Sequence, residues 1–333
     1  MQTRDILAIG TSAGGVEALL FLAKSFPPSF SAAIVITIHL PRRFRSELDQ
    51  ILSSAGPLPA GFARDGEPVN PGRIYIAPPD RHLLLDRDRL VLGSGPRENN
   101  TRPAVDPMLR STAACCGGRA IGAVLTGTLG DGASGLWALA VCGGVTVVQD
   151  PHDAAHRQMP ISALNRLRPD HVVPLAGLPA LLNRLVQQPA VELMPVPERI
   201  RLEIEVARGA ESTMDDMDQV GQRSVLTCPD CGGVMWRIKD GDIVRYRCHT
   251  GHAYTAEVID LAIDENLRRA LASAHRLHRE RTALLEDMRA RAEAAGDRRL
   301  ADLWRQREGE SRDHARAVDD ALRRLGRPER VPY

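Results

Sequence analysis

Residues Asp5 to Leu20 constrain the fold more than any other stretch. Ile6, Leu7, Ala8 and Ile9 are apolar enough for a strand buried on both faces. Gly10, Gly14 and Gly15 then permit a turn too sharp for residues with a Cβ, and Val16, Leu19, Leu20 and Leu22 resume at helical spacing. Ser12 falls at the apex of this strand, turn and helix. Its hydroxyl would stand clear of a sheet at a helix N-terminus, where unpaired N–H groups receive negative charge. Gly10-Thr11-Ser12-Ala13-Gly14 fits the G-x-S-x-G nucleophile elbow. A glycine-rich turn in this setting can also cradle a dinucleotide phosphate, or be purely structural. The dinucleotide pattern asks for glycine where Ser12 stands and an acidic residue at the end of the second strand. Here the second strand, Ala32 to His39, ends in histidine.

Apolar strand-like runs recur at Ala33 to Ile38, Arg73 to Ala77, Ala120 to Thr126, Gly144 to Gln149 and His171 to Pro174, with a hairpin over residues 83–92. Helical patterns at Val16 to Ser25, Ser46 to Ser53, Pro107 to Cys116, Ser134 to Val141, Pro160 to Leu167 and Leu178 to Gln187 fall between several of them. Such alternation predicts an α/β fold over 1–188, a doubly wound, mostly parallel sheet that binds ligands beyond the carboxyl ends of its strands. His39 closes the second strand, with Pro41 as its stop, at the sheet edge expected for Ser12. A histidine there can take the serine proton and return it to a leaving group. Asp131 lies in Gly127-Thr128-Leu129-Gly130-Asp131-Gly132, at the same edge. It reads either as an Asx turn or helix cap, or as the carboxylate that orients an imidazole. Backbone N–H groups near the elbow and in residues 127–130 could hold an oxyanion. Asp106, before Pro107, suits a helix cap.

Gly10-Thr11-Ser12-Ala13-Gly14-Gly15, Ile38-His39-Leu40-Pro41, Pro71 to Pro78, Arg102 to Asp106 and Leu125 to Gly132 together resemble the catalytic domain of the chemotaxis receptor methylesterases (CheB type). Val148 to Pro151, Met159-Pro160 and Val172 to Leu175 continue the resemblance in order to about residue 188. It implies a Ser12, His39, Asp131 triad that needs no cofactor. The implied activity is hydrolysis of γ-glutamyl methyl esters on receptor signalling helices, with deamidation of receptor glutamines. The implied partner is a methylated chemoreceptor-like signalling protein, with a cognate receptor methyltransferase or other chemosensory proteins beyond it. Met159-Pro160 would line the receptor-facing cleft, or simply pack. The chain departs from the family in carrying Thr128-Leu129-Gly130 where Met-Gly-Asn is usual, in beginning at the elbow without the family's receiver domain, and in a long C-terminal extension. The first departure favours a rival from another class, a signalling adaptor that keeps the fold for docking.

Residues 189–224 hold Pro189, Pro195 and Pro197 and a charged stretch, and read as a linker. Within it, residues 200–206 alternate apolar and charged side chains as a short edge strand would. Cys228-Pro229-Asp230-Cys231 and Cys248-His249-Thr250-Gly251-His252 then carry the spacing of a zinc ribbon over 225–255. The predicted ligands of this structural zinc are Cys228, Cys231, Cys248 and His252. His252 is preferred to His249 because C-x-x-x-H with Gly251 turns both side chains inward. Residues 256–328 predict a helical hairpin broken at Gly296 and ended by Gly326 and Pro328, a module suited to interaction or homo-oligomerisation. With 43 basic and 42 acidic residues, no global charge argues for nucleic acid. No apolar run approaches the ~20 residues needed to span a bilayer, and no signal-peptide pattern precedes the first strand. The cysteine pattern suits a reduced, cytoplasmic protein.

Overall fold

A computed structural model describes residues 3–40, 46–241 and 243–325. The expected stops at Pro41, Gly326 and Pro328 lie outside the described residues. The chain divides after Val258 into two compact units.

The first unit opens with β1 (Ile6–Thr11), α1 (Gly15–Ser25), β2 (Ala33–Ile38), α2 (Leu48–Ala55), β3 (Ala60–Phe62) and β4 (Ile74–Ile76). A hairpin of β5 (His82–Asp86) and β6 (Arg89–Gly93) leads into α3 (Val105–Cys116), β7 (Ala120–Val124) and α4 (Ala133–Val141). β8 (Val145–Gln149), α5 (Gln158–Leu164), β9 (His171–Val173) and α6 (Leu178–Val186) complete the α/β part. Seven strands form one sheet in the order β3-β4-β2-β1-β7-β8-β9, and every pairing is parallel.

Period-two alternation explains why the central strands are apolar throughout. Ile6 and Ala8 face a core shared with Leu109 of α3, Leu136 of α4 and Met159 of α5. Leu7 and Ile9 face the opposite core, with Leu19 of α1, Leu52 of α2 and Leu182 of α6. The sheet is therefore wound on both faces, as its sequence alternation predicts. The three-residue β3 had no signal long enough to be read.

Residues 189–224 are not the loose linker expected. They fold within the first unit as α7 (Glu198–Arg208) and α8 (Met214–Val220). The edge strand expected over 200–206 is a helix: Ile200, Glu203, Ile204 and Ala207 are buried at helical spacing. A capping box at Thr213 and Asp216 starts α8. Next come β10 (Gln222–Thr227), β11 (Val234–Asp240), β12 (Ile243–Cys248) and β13 (Ala253–Thr255), paired antiparallel in that order.

A buried ionic cluster holds this small sheet to α7 and to the α/β part. Arg247 Nη2 donates to Glu98 Oε1 at 2.6 Å and its Nε to Glu203 Oε1 at 2.9 Å. Arg245 Nη2 donates to Glu203 Oε2 at 2.6 Å. Arg110 pairs with Glu98, and Arg245 with Asp240, which also accepts from Ser134 Oγ at 2.9 Å. Three guanidinium groups thus meet three carboxylates, none more than 4% exposed, so the buried charges balance. Burial alone would push the Glu203 carboxyl up, but Arg245, Arg247 and Arg110 hold it well below the usual carboxylate range. Burial likewise opposes the Glu98 charge, and Arg110 and Arg247 hold that carboxyl down.

The second unit contains most of α9 (Ala256–Ala294) and all of α10 (Arg298–Arg324). Arg289 meets Glu308 at 2.8 Å, and Arg312 meets Glu286 at 2.8 Å. His278 stacks edge-on against His314 with ring centres 5.3 Å apart. Residues early in one helix thus face residues late in the other, which makes an antiparallel hairpin. Among the described residues no helix is long and apolar enough to cross a membrane.

Removing one member of the cluster leaves buried guanidinium charge uncompensated. Glu203→Gln is expected to destabilise the first unit by about 3–5 kcal/mol in urea unfolding. The folded pKa values of Glu98 and Glu203 are depressed, so their stabilisation is present above the ordinary glutamate value of about 4.3 and is lost as pH falls through the folded values. Stability of the wild type should therefore fall below about pH 4, and more steeply than that of Glu203→Gln. Equal slopes would contradict this account.

Candidate active site

The parallel pairing of β1 and β2 sets Thr11 opposite Ile38, so Ser12 and His39 leave adjacent strands one residue beyond the last pair. β7 lies on the other side of β1, and the loop after it carries Asp131. All three residues come from the carboxyl edge of three neighbouring strands.

The elbow forms because its backbone needs glycine. Gly14 is left-handed, at φ 72°, and is the N-cap of α1. A Cβ on Gly10 would come within 2.1 Å of Val105 Cγ1, so α3 can approach β1 only at a glycine. Ser12 N–H donates to Thr126 O at 3.1 Å, and Gly15 N–H to Ser12 O at 2.9 Å. These bonds hold Ser12 between the end of β1 and the first turn of α1.

His39 Nε2 lies 2.7 Å from Asp131 Oδ2. The histidine side chain is 19% exposed and the aspartate fully buried. With Nε2 engaged by the carboxylate, Nδ1 is the nitrogen left to accept a proton. Asp131 is no simple Asx turn, although its Oδ1 does accept from Gly132 N–H at 2.9 Å. Its carboxylate sits at the N-terminus of a different helix, α3, accepting from Val105 N–H at 2.6 Å and Asp106 N–H at 3.1 Å. Asn99 Nδ2 adds a further donor to Oδ1 at 3.1 Å. Burial opposes the charge, but His39 and the Val105 and Asp106 N–H groups outweigh it and hold the Asp131 carboxyl below its ordinary range.

Asp106 is not the cap expected. It lies inside α3, whose N-cap is Ala104, and reaches across to accept from Gly135 N–H of α4 at 2.7 Å. Burial, and then the neighbouring Asp131 charge, push its carboxyl up to about 7. Two buried carboxylates thus stand side by side, one ionised and one readily protonated.

The loop over 127–130 offers fewer free donors than expected. Gly127 N–H donates to His156 O at 2.8 Å, and Leu129 N–H to Gln158 Oε1 at 3.1 Å. Leu129 is left-handed, at φ 65°, a conformation unusual for a residue with a branched side chain. Met159 is buried and packs beneath Gly127, so it does not line an open cleft; Pro160 is buried too. Ala13 and Gly14, at the start of α1, keep N–H groups without a partner among the described residues.

The small sheet carries a second group. One ligand atom each from Cys228, Cys231, Cys248 and His252 lie within 4.8 Å of one another. Cys231 Sγ and Cys248 Sγ are 3.8 Å apart, and His252 Nδ1 is 3.5 Å from Cys248 Sγ. The Cys248 thiol is held down to about 3, by its hydrogen bond with Cys228 first and by His252, against burial. His249 stands outside the group, against Gly233. Four thiol and imidazole ligands at this spacing can hold a metal ion.

Sequence reasoning missed Asn99 and the cluster of Glu98, Arg110, Glu203, Arg245 and Arg247. The only local signal was Asn99-Asn100 just ahead of the Arg102 to Asp106 motif.

Residues 7–182 match the model of the CheB methylesterase family. The chain is 35% identical over 184 residues to a putative protein-glutamate methylesterase/protein-glutamine glutaminase of Leptospira interrogans, covering 55% of this chain and 95% of that relative. It is 35% identical over 190 residues to the protein-glutamate methylesterase/protein-glutamine glutaminase of Hydrogenovibrio crunogenus, covering 56% of this chain and 50% of the relative. A similar protein of Shewanella denitrificans is 36% identical over 186 residues, with 55% and 53% covered. The chain therefore spans about half the length of these last two curated relatives. The crystal structure of the Thermotoga maritima CheB methylesterase catalytic domain superposes with a TM-score of 0.53 at 34% identity, covering 56% of this chain and all of that domain. On the matched residues and the shared fold, the chain belongs to the CheB methylesterase family.

Proposed function

We propose that this protein is a serine hydrolase that removes methyl groups from γ-glutamyl methyl esters of a methylated chemoreceptor-like signalling protein, and deamidates glutamines of the same partner. The 2.7 Å hydrogen bond between His39 and a fully buried, ionised Asp131 carries the reading. It sits where β1 delivers Ser12 beside β2. The relatives named as methylesterase and glutaminase support the substrate class.

In this mechanism His39 Nδ1 takes the proton of Ser12 as Oγ adds to the ester carbonyl carbon. Asp131 stabilises the resulting imidazolium without accepting its proton. The oxyanion faces the Ala13 and Gly14 N–H groups at the start of α1, where the helix N-terminus favours negative charge. The intermediate collapses as the C–O bond to the methoxy group breaks and His39 returns its proton, releasing methanol and leaving an acyl-Ser12. Water, deprotonated by His39, then releases the glutamate and restores the serine. A glutamine side chain follows the same steps with ammonia as the leaving group.

The second group is assigned to structural zinc held by Cys228, Cys231, Cys248 and His252. Ligands about 2.3 Å from a tetrahedral centre stand about 3.8 Å apart, close to the Cys231 to Cys248 separation. Four protein ligands leave no place for water, so the metal would contribute to folding and not to the ester chemistry. Its contribution to so small a sheet would be about 10 to 16 kcal/mol. The His252 ring would be oriented from outside by Asp230, 3.6 Å from Nε2.

Two measurements test these assignments. Methanol release from a methylated receptor signalling domain should fall by about 10⁴-fold in Ser12→Ala and in Asp131→Asn, with both variants folded. Turnover retained in Ser12→Ala would remove the serine mechanism, and a folded wild type inactive on several receptors would support a docking role. Elemental analysis should find one zinc per chain, lost in Cys248→Ser together with the ordered 228–255 sheet. A zinc-free preparation with that sheet intact would contradict the metal assignment.

A further inference from the structure

Strand β13 leaves the metal-ligand group directly and runs into the neighbourhood of Asp131. Cys248 N–H donates to His252 O at 3.0 Å, closing the turn that carries the last two candidate ligands. The next residue, Ala253, donates its N–H to Arg97 O at 3.3 Å and accepts from Asn99 N–H at 2.7 Å. Thr255 N–H donates to Asn99 Oδ1 at 3.1 Å. The Asn99 side chain then turns its other end to the candidate triad. Nδ2 donates to Asp131 Oδ1 and to Asp106 Oδ2, both at 3.1 Å. One amide thus links the small sheet to two carboxylates.

The local chemistry suits asparagine. Asn99 and Asn100 are both left-handed, at φ 50° and 63°, which asparagine tolerates better than most side chains. The amide spends both Nδ2 hydrogens and its oxygen on buried partners. It is also a neutral donor between Asp106 and Asp131, where a third carboxylate or an apolar group would leave their oxygens without that shared donor. The preceding residue, Glu98, is clamped by Arg110 and by Arg247 of β12, so the 97–99 backbone has little freedom.

We propose that Asn99 is a positioning residue of the triad and that strand β13 sets its orientation, so that the metal-bearing sheet fixes Asp131, and through it His39, from outside the α/β fold. This rests on the triad reading above. Metal at Cys228, Cys231, Cys248 and His252 would order the 248–252 turn, and that order reaches Asp131 through Ala253, Thr255 and Asn99. The extension is then a structural input to the site as well as an appended module.

The test uses the full chain loaded with Zn²⁺, the same chain stripped by a chelator, and Zn²⁺-loaded Asn99→Ala. Two readouts are taken: kcat and KM for demethylation, and the downfield proton NMR signal of the His39 Nε2–H bonded to Asp131. Asn99→Ala should keep its fold and lower kcat about 10²-fold with KM little changed, as misplacement of a catalytic group does. Its downfield proton should shift or broaden. Stripping Zn²⁺ should move the same proton, and restoring Zn²⁺ should return it. Unchanged kcat and an unmoved proton in Asn99→Ala would overturn the positioning role, and a rise in KM alone would make Asn99 a substrate contact instead. A proton indifferent to Zn²⁺ would overturn the link to the sheet. A wild type without Ser12-dependent turnover, whose proton still depends on Asn99 and Zn²⁺, would sink the enzyme reading and leave the positioning intact. Should Asn99→Ala lose its fold, the stripped and restored wild type decides the link by itself.

Discussion

The candidate site depends on one carboxylate kept ionised where burial disfavours it. Asp131 has no access to water, so its charge must be met by protein dipoles. The first turn of α3 supplies two backbone N–H groups, Gly132 a third, and Asn99 an amide, before His39 is counted. Helix α3 can reach that position only because Gly10 has no Cβ to meet Val105. The elbow glycine therefore serves the aspartate as well as the serine turn. Sheet order does the rest, since β2, β1 and β7 are adjacent and parallel and their loops emerge on one edge.

The C-terminal additions to this unit are tied to the α/β part by buried charges as well as by Ile200 and Ile204 of α7, which join the core of Leu109 and Leu136. Glu203 from α7 bridges Arg245 and Arg247 of β12, and Glu98 bridges Arg247 and Arg110. Such a cluster is worth little relative to an apolar core of equal volume, yet it is costly to break and demanding of geometry. It fixes register between segments that are far apart in sequence. That property suits a strand whose task is to hold an asparagine in one orientation.

Much of this was legible in the sequence where the chemistry is local. Apolar runs bounded by glycine and proline marked the central strands, and Ser12, His39 and Asp131 could be named because each ends a strand or sits in a glycine-rich loop. The cysteine knuckles were legible from spacing alone. What failed was non-local. Residues 200–206 alternate apolar and charged side chains like a strand, and Glu203, whose arginine partners lie more than 40 residues away, looks like a surface residue. Asn99 gave no signal beyond the Asn99-Asn100 pair, because its partners, Thr255, Asp106 and Asp131, come from three other places in the chain. Leu129 was noted as a departure, and its left-handed backbone explains why glycine is the easier residue at that position.

In the proposed mechanism Ser12 is a nucleophile activated by His39. Labelling with a fluorophosphonate tests it without any assumption about the receptor, since only an activated serine displaces fluoride at a useful rate. One phosphonyl group per chain is expected, mapped by peptide mass spectrometry to the segment holding Ser12, with labelling much slower in His39→Ala. A folded protein that stays unlabelled, or that is labelled at another residue, would contradict it.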